Sequence, residues 1–339
     1  MMWPTIRYDR EGSVTIITRR AFTAGATAAG VLAPHVARAQ GAWPAGHQIR
    51  FVVGFPAGGA QDIVGRIVAD RLGALWGVPT VVENVAGAGA NIAMDRVAKG
   101  PTDGTQIMIV PPGFATNQFL YARMPFDPEK DIIPLGYVAS IPNLLCVKKD
   151  LPVSTVAELI AYAKTNPGKL NYASTSVGTT THLSGALFAK MTGTNIVVVH
   201  YRGSAPAMND LLSGNVDMIF DNIAAIIPQA RGGNVKALGI TTATRSPHAP
   251  EYPPIGDTVK GYDTTSWVGV GVRAGTPKAI CDRIEEGVKA ICKEQIVKDR
   301  LATLVSEPVG AGAAEFAKFV ADERKKWGAL IAEQKIKAE

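Results

Sequence analysis

Cysteine is scarce, three in 339 residues, which is too few for a disulfide framework. Histidine is almost as rare. The four beyond residue 40, His47, His182, His200 and His248, are dispersed and show neither H-x-x-x-H nor Cys/His spacing, so no metal is expected. No apolar run is both long and clean enough to span a bilayer: the longest uncharged stretches, 104–122 and 132–147, are broken by prolines and polar residues. A concentrated basic stripe is also missing. The densest cluster, Arg324-Lys325-Lys326, falls on an amphipathic pattern and reads as a solvated helix face, so no nucleic-acid partner is expected. Residues 54–59 do not match G-x-G-x-x-G, no P-loop lysine exists, and the stretch around Ser176 lacks the first glycine of a G-x-S-x-G elbow. These absences leave no expected cofactor and no catalytic residue, and they favour binding over turnover. No fixed-period repeat and no low-complexity segment interrupts the chain.

The remainder is ordinary globular composition, 47% hydrophobic and 19% charged, long enough for about two domains. The first 39 residues read as an export signal. Thr18-Arg19-Arg20-Ala21-Phe22 is followed by a charge-free segment rich in small residues, and Ala37-Arg38-Ala39 offers a peptidase site with cleavage before Gln40. The paired arginines suggest the twin-arginine route, with Sec as the alternative. Removing this segment takes away five arginines together with Asp9 and Glu11, so the formal charge falls from +6 to +3. Export into an oxidising compartment draws attention to the thiols. Cys281 and Cys292 share one helical pattern about 16 Å apart along its axis, too far to bridge. With Cys146 they read as small buried hydrophobes.

From residue 49 the pattern alternates strand and helix. Strands are expected at 49–55, 80–83, 106–110, 137–147, 170–173, 195–201, 216–220, 235–241 and 266–272; helices at 62–72, 91–98, 181–191, 206–212 and 223–231. Thr155 and Glu158 form a capping box opening a helix that ends at Asn166-Pro167-Gly168. Two long helices with no strand of their own are expected to finish the chain, the first N-capped by Thr276 with Pro277 at its first position. Such alternation predicts an α/β protein with parallel sheets covered by helices. The final helices are expected to pack back on the first unit, so that the chain crosses between units near 141–147 and 264–268.

Ligands of open α/β sheets sit beyond the carboxyl ends of strands. Three strand-to-helix turns have unusual chemistry. The first holds Phe55, Pro56, Ala57, Gly58, Gly59 and Asp62: adjacent glycines let backbone approach a ligand, the following helix presents free N–H groups to an anion, and Asp62 is expected to cap that helix. The second, Ser174 to His182, carries six hydroxyls within eight residues, among them those of Ser174, Thr175, Thr179 and Thr180, with Gly178 at its bend. It reads either as a multi-donor carboxylate clamp or as a solvated loop with one N-cap. The third holds Gly203, Ser204 and Ala205. Asp221 ends another strand, where it would accept an amine or hydroxyl, or cap a helix.

These residues resemble the Bug family of periplasmic solute receptors, the extracytoplasmic subunits of tripartite tricarboxylate transporters. The resemblance rests on the order and spacing of Phe55-Pro-Ala-Gly-Gly-Ala-Gln-Asp62, Val85-Ala-Gly-Ala-Gly-Ala-Asn91, Pro125-Phe-Asp-Pro128, Ala157-Glu-Leu159 with Asn166-Pro-Gly168, the 174–185 loop, Tyr201-Arg-Gly-Ser-Ala-Pro206 and Val216-Asp-Met-Ile-Phe-Asp221. It implies a type II periplasmic-binding-protein fold, with lobe 1 at 40–142 plus 266–339, lobe 2 at 143–265, and a double-crossing hinge. It further implies a monomer that closes around a small organic carboxylate and delivers it to membrane permease subunits. The 55–62 and 174–182 loops would clamp one carboxylate. Gly113, Ala115, Asn117, Gly203, Ser204, Ala205 and Asp221 would line the variable end. Several relatives carry Gly-Ser-Pro-Gly-His where this chain has Gly178-Thr-Thr-Thr-His182. An exported hydrolase of a small ester or amide and a ligand sensor for a membrane signalling partner are the alternatives.

Overall fold

Short Val/Ile-rich runs form the buried strands. In the computed structural model, which describes residues 43–338, β1 (Ile49–Val53) is followed by α1 (Ala60–Trp76), β2 (Thr80–Asn84), α2 (Asn91–Ala98), β3 (Gln106–Val110) and α3 (Gly113–Leu120). The long strand β4 (Ile132–Lys148) then leads to α4 (Val156–Thr165), β5 (Asn171–Ser174), α5 (Thr180–Thr192), β6 (Val197–His200), α6 (Ser204–Leu212), β7 (Met218–Asn222), α7 (Ile223–Arg231) and β8 (Val235–Ile240). The chain finishes with β9 (Thr265–Arg273), α8 (Lys278–Ile291), α9 (Gln295–Ala302), β10 (Glu307–Gly312) and α10 (Ala313–Gln334). The expected export signal and its cleavage point lie outside the described residues. No helix among the described residues is long and apolar enough to cross a membrane.

The strand order is β2-β1-β3-β9-β4-β7-β5-β6, with β10 and β8 also paired to β4. Parallel pairing holds for β1 with β2 and β3, and for β5 with β6 and β7. The central strands β9 and β4 instead run antiparallel to their neighbours. They do so because they pass from one half of the sheet to the other rather than through a helical crossover within one half. β4 serves both halves: up to Pro142 it pairs with β9, and from Asn143 it pairs with β7 and β8. The return passage lies beside it, where Thr264 N–H donates to the Thr241 carbonyl, Thr241 N–H donates to the Asn143 carbonyl, and β9 begins at Thr265.

Each half has apolar side chains packed on both faces. Ile67, Val68 and Leu72 of α1 meet Ile284, Val288 and Ile291 of α8 over one face of the first half. Met94, Phe114, Trp267, Phe316 and Val320 fill the other. In the second half, α6 and α7 cover one face and Phe188 of α5 packs with Tyr172, Phe220 and Tyr262 on the other. The three cysteines are free and buried.

Three sequence expectations change. The chain end is not two helices alone: α9 and the strand β10 intervene, and β10 pairs with β4 between Gly136 and Ser140. Glu-Pro-Val-Gly-Ala-Gly has no alternating pattern, so its strand character comes from the partner edge. The N-cap of α8 is Pro277, while Thr276 Oγ1 donates to the Arg273 carbonyl at 2.8 Å. Finally, α10 packs on the first half through Phe316 and Val320 as expected, but its far end reaches beyond it. Its Trp327, Leu330 and Ile331 cluster with Leu120 of α3 and with Leu183 and Ala186 of α5. Gln334 Nε2 donates to the Ala186 carbonyl at 3.2 Å, and Lys190 pairs with Glu333. The helix thus straps the two halves together. One half of the capping box forms as read, with Glu158 N–H donating to Thr155 Oγ1 at 3.1 Å, while Glu158 Oε2 reaches one residue further and accepts from Ser154 N–H at 2.6 Å.

Candidate functional site

The loops after β1 and β5 are built alike. In each, a glycine in the left-handed region turns the chain: Gly58 at φ +87° and Gly178 at φ +73°. The next residue caps the helix with extended backbone: Gly59 at φ −77°, ψ 164°, and Thr179 at φ −70°, ψ 162°. Three residues later a side chain reaches back for the glycine amide. Gly58 N–H donates to Asp62 Oδ2 at 2.8 Å, and Gly178 N–H donates to His182 Nδ1 at 3.1 Å. The first intrahelical bonds are Ile63 N–H to the Gly59 carbonyl and Leu183 N–H to the Thr179 carbonyl, both 2.9 Å. The amides of residues 60–62 and 180–182 therefore have no carbonyl partner inside their own helices. Two helix N-termini, one from each half, are held open by the same device.

Asp62 and His182 are both buried. Burial opposes the Asp62 charge, but hydrogen bonds from Arg66 (2.9 Å), Gly58 and Asn84 (2.8 Å) outweigh it and hold the carboxyl below its ordinary range. Asp62 is thus an internal anion that sets the loop; it does not cap α1 as the sequence suggested, because the N-cap is Gly59 and the Asp62 carboxylate turns back to the Gly58 amide instead. Asn84 also donates to the Phe55 carbonyl at 3.0 Å, tying the end of β2 to the loop. His182 is pushed down to about 3 by burial and by His200, whose ring lies 4.7 Å away edge-on. It is neutral, with Nδ1 free of hydrogen and accepting. The Tyr172 hydroxyl donates to the His182 carbonyl at 3.1 Å.

The hydroxyls of the second loop mostly face one another. Thr181 Oγ1 accepts from Thr175 N–H (3.1 Å) and lies 2.8 Å from both Thr175 Oγ1 and Thr179 Oγ1. Ser174 and Thr179 hydroxyls both donate to the Ser176 carbonyl at 2.8 Å. The cluster seen in the sequence is therefore chiefly a scaffold that fixes the loop, and the backbone amides are what it presents. In the first loop, Pro56, Ala57, Gly58 and Gly59 are exposed and Phe55 is half-buried. Across the halves, Gly178 lies so close to α3 that a Cβ there would stand 2.1 Å from Leu120 Cδ1.

Gly113, Ala115 and Asn117 lie on α3. A helix there escaped the sequence reading because Pro111-Pro112-Gly113 looks like punctuation. Asn117 Nδ2 donates to the Gly89 carbonyl and Asn91 Oδ1, each at 2.8 Å, so it pins the 87–91 turn. Ala115 is fully buried. A Cβ at Gly113 would sit 2.8 Å from the Gly89 carbonyl oxygen, which explains the glycine. The third turn joins the second directly: Gly203 N–H donates to the Thr175 carbonyl at 3.0 Å and Tyr201 N–H to the Ser174 carbonyl at 2.8 Å. Ser204 Oγ then donates to Asp221 Oδ1 at 3.0 Å, and Ala205 is exposed. Asp221 is fully buried, also accepts from Asn222 N–H at 2.8 Å through Oδ1, and has no partner on Oδ2. Burial pushes its carboxyl up to about 6.

Gln61 was missed. Its Nε2 donates to the Trp267 carbonyl of β9 at 2.8 Å and its buried Oε1 has no partner, so it links the first loop to the strand that crosses between halves. Its position between the glycine pair and Asp62 is the signal that could have found it. Among the described residues no cluster of His, Cys, Asp or Glu could hold a metal ion.

Comparison with known proteins identifies the family and the fold. The model of the tripartite tricarboxylate transporter family receptor matches residues 64–336. BugT of Bordetella pertussis is 31% identical, over 90% of this chain and 93% of that protein. Among solved structures, R. palustris Rpa4515 with adipate is 38% identical, superposes with a TM-score of 0.79, and is matched over 87% of this chain and 99% of its own. MatC from Rhodopseudomonas palustris with bound malate is 27% identical with a TM-score of 0.73, over 85% and 99%. The chain therefore belongs to the receptor family of the tripartite tricarboxylate transporters, and it has the periplasmic-binding-protein fold of its Bug-type relatives.

Proposed function

We propose that the exported protein, cleaved before Gln40, is a monomeric receptor that binds a small organic carboxylate between two lobes and hands it to the permease subunits of a tripartite transporter. Lobe 1 comprises 40–142 and 266–339, and lobe 2 comprises 143–265. The observation that carries the reading is the matched pair of loops: Gly58-Gly59 and Gly178-Thr179 each present an open helix N-terminus, which favours an anion without a buried cation. Phe55, Pro56, Ala57 and the loop from Ser174 to Thr180 shape the carboxylate clamp. Gly113, Ala115, Asn117, Gly203, Ser204, Ala205 and Asp221 shape the remoter end. Adipate and malate in the relatives are both organic acids with more than one carboxylate. A ligand bridging both loops stabilises the closed arrangement by its differential contacts, and the permease reads that population shift.

A hydrolase is disfavoured. His182 is the histidine nearest the hydroxyl-rich loop, but its Nδ1 is engaged by Gly178 and its basicity is suppressed to about 3, too low to deprotonate a serine at neutral pH. A thermal-shift screen of carboxylic acids on residues 40–339 tests the proposal. A ligand at one hundred times its Kd stabilises by about 3 kcal/mol. A raised melting midpoint with the acid recovered unchanged is expected. Turnover of an ester, or no response to any acid, would overturn the reading.

A further inference from the structure

Asp221 is a fully buried carboxylate that the fold only half satisfies. Oδ1 takes the Ser204 hydroxyl at 3.0 Å and the Asn222 amide at 2.8 Å, while Oδ2 has no donor among the described residues. At the same strand end, Asn222 Oδ1 is also buried without a partner. Buried polar atoms normally find a partner, and a buried charge without one is costly. Asp221 also connects to the clamp by a short chain of bonds. Ser204 follows Gly203, whose amide donates to the Thr175 carbonyl in the second loop at 3.0 Å. Asp221 is therefore bonded, through the 203–204 turn, to the loop that the proposed function assigns to the carboxylate clamp.

We propose, building on the function above, that Asp221 is a specificity-determining residue whose free Oδ2 accepts a hydrogen bond from a hydroxyl or ammonium group on the ligand, away from the clamped carboxylate. The preferred class is thus hydroxy or amino acids rather than simple dicarboxylates. A second ionised carboxylate at that position would face another carboxylate, and at pH 7.5 holding the two together costs either repulsion or the uptake of a proton from solution. A hydroxyl or ammonium donates, and an ammonium also offsets the charge.

The experiment uses matched sets at pH 7.5: for each chain length from three to seven carbons, the ω-hydroxy acid, the ω-amino acid, the dicarboxylic acid and the plain monocarboxylic acid, measured by calorimetry with wild type and Asp221→Asn. Wild type should bind the donor-bearing member of the best-fitting length at least tenfold more tightly than the matched dicarboxylate. Asp221→Asn, checked by circular dichroism, should narrow that ratio. The wild-type ranking alone decides the matter if the variant does not fold. A dicarboxylate that binds best, or a ranking unaltered by Asp221→Asn, overturns this inference while leaving the carboxylate receptor standing. Failure of every acid to bind removes the receptor reading itself, and this one with it.

Discussion

The buried pair Asp221 and His182 makes a quantitative prediction about stability against pH. Folded, Asp221 keeps its proton up to about pH 6; unfolded, it loses it near 3.8. Between these values the folded state binds more protons, so this group lowers stability as pH rises, by about 3 kcal/mol across the window. His182 acts oppositely. Folded, it gives up its proton already near 3, whereas unfolded it does so near 6.5. The unfolded state then binds more protons, and stability rises with pH, by roughly 3 kcal/mol between about pH 4 and pH 6.5. Together the two slopes nearly cancel in the wild type, and single variants unmask them. The unfolding free energy of Asp221→Asn, relative to wild type, should increase by about 2.5 kcal/mol from about pH 4 to pH 7. For His182→Asn, whose Oδ1 can still accept from Gly178, the relative value should decrease over the same range. Urea titrations followed by tryptophan fluorescence are suitable, because Trp267 and Trp327 are fully buried. An Asp221→Asn difference that stayed level to within about 0.5 kcal/mol across these pH values would refute the reasoning, since a tenfold change in proton affinity between the two states corresponds to about 1.4 kcal/mol.

Gly178→Ala combines a φ of +73° with a Cβ 2.1 Å from Leu120 Cδ1. It should destabilise by about 2–4 kcal/mol, with Leu120→Ala recovering part of the loss in a double-mutant cycle; full additivity would show that the two do not touch. Gly59→Val has ordinary backbone angles and a nearest neighbour, the Pro56 carbonyl, at 3.7 Å; calorimetry should show weaker ligand binding by a protein that remains folded, with a melting midpoint lowered only by the loss of a favourable N-cap residue, and unchanged affinity would reject the first-loop assignment. Thr181→Val removes the acceptor shared by the Thr175 amide and two hydroxyls, and should lower stability by about 1–3 kcal/mol in denaturant titration.

How much was legible depended on where each signal resides. Residues 49–53 and 106–110 carry their own strand pattern, and the turn that follows β1 announces itself through adjacent glycines. β10 was invisible because Pro308, Gly310 and Gly312 deny it any strand propensity of its own; the edge of β4 confers it. α3 hid behind Pro112-Gly113, where glycine answers to the nearby Gly89 carbonyl and not to a turn. In the second loop, the number of hydroxyls was evident but their mutual bonding was not, because Thr175, Thr179 and Thr181 meet only once the helix has formed. Asp221 could be named as a strand-end carboxylate; that one of its oxygens goes unanswered depends on Ser204 and Asn222 together.

The twin loops differ in one respect that matters for how a receptor captures its cargo. Asp62 places a carboxylate, paired with Arg66 at 2.9 Å, against the mouth of α1, whereas His182 performs the same task for α5 as an uncharged ring. The partial positive end of α5 is therefore unopposed, while that of α1 is partly neutralised from within. The two N-termini therefore share a backbone geometry but differ in the electrostatic company each keeps.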